Sequence, residues 1–325
     1  MRIQVVGAGS WGLALARLLA RIGHEVRLWC REEDGPDVLT ETRRSPKYLP
    51  GILLPETVQV SREVDPSVAI AVLAVPSHAM RQIVAAHRFD QDTIRVSVAK
   101  GIENETLLRM TEVIAEVAGR CPVAALSGPS HAEEVAADLP ASVVVASSEP
   151  GVSTTVQRLF MCRSFRVYTS ADVIGVELGG ALKNVIAIAA GACDGFGLGD
   201  NAKAALITRG LAEISRLGVA MGADPLTFAG LSGMGDLIVT CASRHSRNRA
   251  VGERVAQNHT LQEILAASPM VAEGVRTTRS AVALAERYGV EMPITRQVHR
   301  VLFENGDPRD AVENLMLREA KPERA

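Results

Sequence analysis

Gly7-Ala8-Gly9-Ser10-Trp11-Gly12 puts three glycines at the spacing that lets a chain turn tightly, approach a pyrophosphate and pack a helix against a strand. Alone the spacing is weakly specific, because an ordinary strand-to-helix turn needs glycine for the same steric reasons. Context strengthens it: an apolar strand reads over 2–6, an amphipathic helix over 10–19 and a second strand over 25–29. A helix N-terminus behind Gly9 would then face the phosphates of a dinucleotide. The end of the second strand should choose the cofactor, an acid favouring the ribose 2′-hydroxyl of NAD and an arginine the 2′-phosphate of NADP. Arg31 follows Trp29-Cys30 there, with Glu32, Glu33 and Asp34 behind it, so the reading leans to NADP(H) and leaves NAD(H) open.

A second chemical feature is Glu177-Leu178-Gly179-Gly180-Ala181-Leu182-Lys183-Asn184, inside an apolar helical run. By i, i+3, i+4 spacing, Gly179, Gly180, Lys183, Ala187 and Ala190 share one face, a lysine among almost no side chain. Paired glycines cost a helix about 1 kcal/mol each relative to alanine. A ligand or another backbone must come close there to compensate. Desolvation on such a face would lower the lysine pKa toward proton transfer near neutrality. A packing helix whose lysine reaches solvent is the alternative reading of this stretch alone.

Ser243-Arg244-His245-Ser246-Arg247-Asn248-Arg249 collects donors before another helical run, with Ser246 as its N-cap. Arginine forks and free amides at a helix start suit a phosphate dianion, although most charge runs are solvated loops. Gly233-Met234-Gly235-Asp236 and Thr240 just upstream favour the site. Ser130-His131-Ala132-Glu133 reads as a capping box, opening a further helix after Gly128. Histidines such as His78, His131 and His245 show no ligand spacing, so no metal is expected.

Around these motifs, short β-branched runs at 2–6, 25–29, 68–75, 94–98, 123–126, 142–146 and 165–168 alternate with helical patterns. That order builds a parallel sheet with helices on its faces. From about residue 170 the strand signal stops and helices take over, at 173–193, 203–221, 247–257 and 275–288. The fold class is therefore α/β followed by all-helical, with domains at 1–170 and 171–325. A net charge of −2 over 325 residues gives no field for nucleic acid. Arg17, Arg21 and Lys183 interrupt the apolar runs before about 18 residues, so no membrane span is expected. Cys30, Cys121, Cys162, Cys193 and Cys241 are scattered, which suits free thiols and a cytoplasmic location. The charged end, 321–325, should fray.

In order along the chain, Gly7 to Gly12, Ala74-Val75-Pro76-Ser77, Lys100-Gly101, Ser127-Gly128-Pro129-Ser130-His131-Ala132, Leu178 to Asn184, Gly233 to Leu237, Arg247-Asn248 and Glu273-Gly274 resemble the bacterial-type NAD(P)-dependent sn-glycerol-3-phosphate dehydrogenases. The resemblance implies a Rossmann-type domain ahead of the helical one, and reversible reduction of glycerone phosphate to sn-glycerol 3-phosphate for phospholipid synthesis. It implies that Lys183 is the general acid in reduction and the base in reverse. Lys100, Gly128, Ser130, Asp236, Ser246, Arg247 and Asn248 would join Lys183 around the substrate. Ser10, Trp11, Arg31, Lys100, Ala132, Arg247, Val271 and Glu273 would lie along the dinucleotide, with Gly7, Gly9 and Gly12. A homodimer is a further expectation. Two rivals stay open on the sequence: a related dehydrogenase of another hydroxy acid, and a non-catalytic NADPH-binding sensor.

Overall fold

The computed structural model describes residues 1–267, 271–320 and 322–323. The charged end expected to fray lies outside these residues except at 322 and 323. Eight strands form one sheet: β1 (Arg2–Val6), β2 (Glu25–Trp29), β3 (Val58–Ser61), β4 (Ile70–Leu73), β5 (Ile94–Ser97), β6 (Val123–Ser127), β7 (Ala141–Ala146) and β8 (Phe165–Ser170). Their order is β3-β2-β1-β4-β5-β6-β7-β8. The chain runs outward from β1 on one side to β3, then crosses back to lay β4 on the other flank of β1. The switch point therefore lies between β1 and β4, where open α/β sheets hold their ligands.

Two departures from the sequence reading concern this sheet. Edge strand β3 was not foreseen; it is only four residues long, with just Val58 and Val60 to mark its alternation. The sheet is also not wholly parallel, since β6 and β7 pair antiparallel. The helix between them, Ala132–Ala136, has five residues and rises only about 7.5 Å, short of the roughly 16 Å of a five-residue strand. The chain thus enters β7 from the end at which it left β6.

After β8 the described chain is helical, led by the 24-residue helix Val173–Phe196. Asp172 caps its start by accepting from the Gly175 amide at 2.8 Å, and Gly197 ends it in the left-handed region at φ 66°. Leu178, Leu182 and Ile186 pack with Ile214, Leu217, Phe228 and Leu284 of surrounding helices in a second hydrophobic core. By length and composition this helix and the segment Pro225–Ala242 are apolar enough to cross a membrane, even with Lys183 breaking the apolar run of the helix. Here it is the buried centre of the helical part.

The helix Arg247–Ala256 crosses it through glycines. A Cβ on Gly191 would lie 1.9 Å from the Arg249 carbonyl oxygen, and one on Gly252 would lie 1.9 Å from that of Ile188. Nearer its start the lysine helix is tied to the N-terminus of the helix Met110–Ala118 by Glu177, which accepts from Arg109 Nη1 at 2.5 Å, the Thr111 amide at 2.8 Å and Thr111 Oγ1 at 2.6 Å. Burial pushes the Glu177 carboxyl up, against the pull of Arg109.

Gly191→Ala should force the two helices apart and lower stability by about 1–3 kcal/mol, seen as a lower urea midpoint with an unchanged slope. A midpoint equal to that of the unsubstituted protein would show that the crossing is not sterically limited.

Candidate functional site

β1 is followed by Gly7, whose φ of 110° is open to glycine and strained for other residues. A Cβ there would meet the Ala74 carbonyl oxygen at 2.6 Å, and one on Gly12 would meet the Gly7 carbonyl oxygen at 1.8 Å. Gly9 has nothing within 4 Å of its missing Cβ. The three glycines thus make a tight turn, an open approach and a close helix contact. No side chain caps the helix Ser10–Arg21, so its first amides are open to an anion. Trp11 Nε1 is a buried donor with no partner among the described residues. This cradle fits the diphosphate of a dinucleotide.

From the cradle a cleft of about 520 Å³ runs to the lysine helix; its walls include Gly7, Gly9, Ser10, Trp11, Arg31, Lys100, Ser130, Ala132, Lys183, Asp236, Ser246, Arg247, Asn248, Val271 and Glu273. Gly12 lies beneath this wall. Gly128, at φ 143°, serves through its carbonyl, which accepts from Lys100 Nζ at 2.9 Å and from Ser130 Oγ at 2.9 Å. A larger hollow of about 850 Å³ lies elsewhere, among the helices Gly199–Ala220, Pro293–Phe303 and Pro308–Met316. Its lining is mostly apolar and includes none of Lys100, Lys183 and Asp236.

The floor of the cleft is a buried ion cluster. Lys183 Nζ donates to Asp236 Oδ1 at 2.6 Å and to Thr240 Oγ1 at 2.6 Å. Lys100 Nζ donates to the other oxygen, Asp236 Oδ2, at 2.7 Å. Burial pulls the Lys183 pKa down to about 8, with Asp236 opposing and Lys100 adding to the fall. Burial pushes the Asp236 carboxyl up, and the two lysines more than offset it, holding it below its ordinary value. Such a cluster can place one exchangeable proton at a dry position and keep a positive field there.

The bare helix face has a simple explanation. A Cβ on Gly179 would sit 2.7 Å from the Ser232 carbonyl oxygen, and one on Gly180 would sit 2.4 Å from Ser127 Oγ. Protein, not ligand, fills both positions. This brings the π-helical turn Leu231–Gly235, and with it Asp236, against the lysine helix. Thr240 lies one turn after Asp236 in the helix Asp236–Ala242, so i, i+4 spacing sets both toward Lys183.

Asn184, read as a neighbour able to hold a substrate oxygen, instead donates to the Lys100 carbonyl at 3.1 Å and accepts from Asn248 Nδ2 at 2.8 Å. Asn248 Oδ1 accepts from the Gly274 amide at 3.0 Å. The adjacent Glu273 accepts from the Ser77 amide at 2.9 Å and from its hydroxyl. These bonds join the loops after β4 and β5 to three helices. Sequence spacing carries no signal for this chain of contacts, because its members lie far apart along the polypeptide.

Ser246 caps the helix Arg247–Ala256 by accepting from the Arg249 amide at 3.2 Å. Exposed Arg247 reaches over the cleft and donates to the Val271 carbonyl at 3.0 Å. Arg249 turns away to Asp194, at 2.6 Å. The capping box expected at Ser130 does not form: His131 is the N-cap, and Ser130 closes the turn on Gly128. His131 borders the cleft, its Nε2 buried without a partner among the described residues, and its pKa falls through burial and then the fields of Lys183 and Lys100. Arg31 is bound to Asp34 and Glu33. The five cysteines are free thiols, and no group of three potential metal ligands occurs among the described residues.

This geometry agrees with comparisons to known proteins. Residues 2–153 match the model of the NAD-dependent glycerol-3-phosphate dehydrogenase N-terminus, and residues 172–313 that of its C-terminus. A glycerol-3-phosphate dehydrogenase [NAD(P)+] of Pelotomaculum thermopropionicum is 53% identical over 325 residues, covering 98% of this chain and 93% of the relative. The one from Syntrophotalea carbinolica is 52% identical, covering 99% of each. The crystal structure of glycerol-3-phosphate dehydrogenase from Coxiella burnetii superposes with a TM-score of 0.93 at 41% identity, covering 98% of this chain and 99% of that one. With its glycine cradle at the switch point and a paired lysine at the cleft floor, the chain belongs to the NAD-dependent glycerol-3-phosphate dehydrogenase family.

Proposed function

We infer that the chain is an NAD(P)-dependent oxidoreductase that reduces glycerone phosphate to sn-glycerol 3-phosphate, reversibly, supplying glycerophospholipid synthesis. The observation that carries this reading is Lys183, buried, depressed to about 8 and held by Asp236 at the floor of the cleft that begins at the glycine cradle. We assign the residues before about 170 to the dinucleotide and those after it to substrate and proton transfer. A cytoplasmic homodimer that binds neither nucleic acid nor membrane completes the proposal.

Gly7, Gly9, Gly12 and the amides behind them would hold the dinucleotide diphosphate, with Ser10, Trp11, Arg31, Ala132, Val271 and Glu273 along its length. When bound, the reduced nicotinamide supplies the hydride. Lys183 gives its proton to the oxygen of the reduced carbonyl, and takes it back in the oxidation. Asp236 fixes the ammonium through one oxygen, while Thr240 takes a second N–H; the third is left for substrate. Lys100 supports the developing negative charge and is tied to Gly128, so Lys100, Gly128 and Ser130 form one wall. Arg247, with Ser246 and Asn248 at the same helix start, takes the substrate phosphate and hydroxyl.

Initial rates with glycerone phosphate and each reduced cofactor test the activity directly, and no oxidation of either cofactor would end the assignment. Lys183→Ala should cut turnover by about 10²–10⁴-fold with NADPH affinity nearly intact; unchanged kinetics would remove Lys183 from the chemistry. Arg247→Ala should instead raise KM for the phosphorylated substrate by roughly tenfold or more, and a change confined to cofactor affinity would move it out of the phosphate site.

The pH dependence follows from the state Lys183 must start in. Reduction needs the ammonium, so its rate should fall as pH rises through about 8; oxidation needs the free amine, so its rate should rise over the same range. Asp236→Asn removes a group that raises this pKa and should shift both limbs to lower pH. Identical limbs in the two directions would contradict a single acid-base lysine.

A further inference from the structure

At the far end of the cleft, beyond β2, the guanidinium of Arg31 is largely occupied by the protein itself. Its Nε donates to Asp34 Oδ2 at 2.9 Å and its Nη2 to Asp34 Oδ1 at 3.0 Å, while Nη1 pairs with Glu33 Oε1. Three of five N–H donors are thereby engaged and two remain. The two acids differ in how firmly they hold: the Asp34 side chain is 3% exposed, that of Glu33 64%. Removing Arg31 from Asp34 would strand a buried carboxylate, whereas Glu33 can be displaced at little cost. Asp34 is therefore the positioning residue that aims Arg31, and Glu33 the mobile competitor.

The surroundings add no net positive charge. Arg62 is divided between Glu32 and Asp37, and the Lys47 amine donates to the Glu33 backbone carbonyl. Three cations, Arg31, Arg62 and Lys47, thus face four carboxylates, Glu32, Glu33, Asp34 and Asp37. A 2′-phosphate, with a charge of about −1.5 to −2, would have to use the two remaining donors of Arg31 beside the like charge of Glu33, or displace Glu33 from Nη1. A ribose 2′-hydroxyl meets no such competition and can donate to the same carboxylate.

We propose that Glu33 sets the cofactor preference of this chain, drawing Arg31 away from a 2′-phosphate and offering an acceptor to a ribose hydroxyl, so that NADH and NADPH bind with comparable affinity. The proposal rests on the reading of the cleft as a dinucleotide site and deepens it.

The test is equilibrium binding of NADPH and NADH, followed by quenching of Trp11 and Trp29, both in the cleft wall. The unsubstituted protein should bind the two within about tenfold of each other. Glu33→Gln should move the affinity ratio toward NADPH by about threefold or more, and Glu33→Lys further in the same direction. Both shifts should shrink near about 1 M salt. A preference for NADPH above about tenfold in the unsubstituted protein, or a ratio unmoved by both substitutions, overturns the proposal. Absence of binding by either nucleotide overturns the dinucleotide reading beneath it, and the proposal with it.

Discussion

Asp236 is a buried carboxylate shared between two buried or half-buried amines, and the site depends on that sharing. Each charge alone would cost several kcal/mol to bury. Each lysine takes a different oxygen of the same carboxylate, so neither amine displaces the other. The arrangement requires three separate parts of the chain to converge: the loop after β5, the middle of the lysine helix, and the helix that follows the π-helical turn. Much of the surrounding fold can be understood as keeping those parts in place.

Glycine does that work where backbones must touch. Gly179 and Gly180 let a loop and Ser127 press against the lysine helix, and Gly191 and Gly252 let the helix bearing Arg247 cross it closely. Polar side chains then lock the contact. Asn184 and Asn248 pass hydrogen bonds from the Lys100 carbonyl to the Gly274 amide, and Glu273 closes on Ser77. The loop carrying Lys100 is therefore held from the helical side as well as from the sheet.

The parts of this that were legible in the sequence are local. The glycine cradle could be read because turn, approach and packing are each imposed within a few residues of β1, and Ser246 because a cap acts on the next three residues. The alternation of strands and helices, and its end near residue 170, follow from periodicity alone. Long-range facts were not readable: the Asn184 and Asn248 relay, and the antiparallel turn into β7. Arg31 is the instructive intermediate case. Its position was legible, but its chemistry depended on Asp34 and Glu33 folding back upon it, and residue type at a motif position does not report that.

The cluster's charge also explains why a carboxylate should sit so close to a general acid. With both lysines protonated the three groups carry one net positive charge; without Asp236 they would carry two, and the Lys183 pKa would fall further. With Asp236 present, the pKa settles near 8, close enough to neutrality for transfer in either direction. Once Lys183 has given up its proton, Lys100 and Asp236 balance, and the dry floor holds no uncompensated charge. Asp236 thus lowers the cost of both end states, and the reaction moves the cluster between one net charge and none.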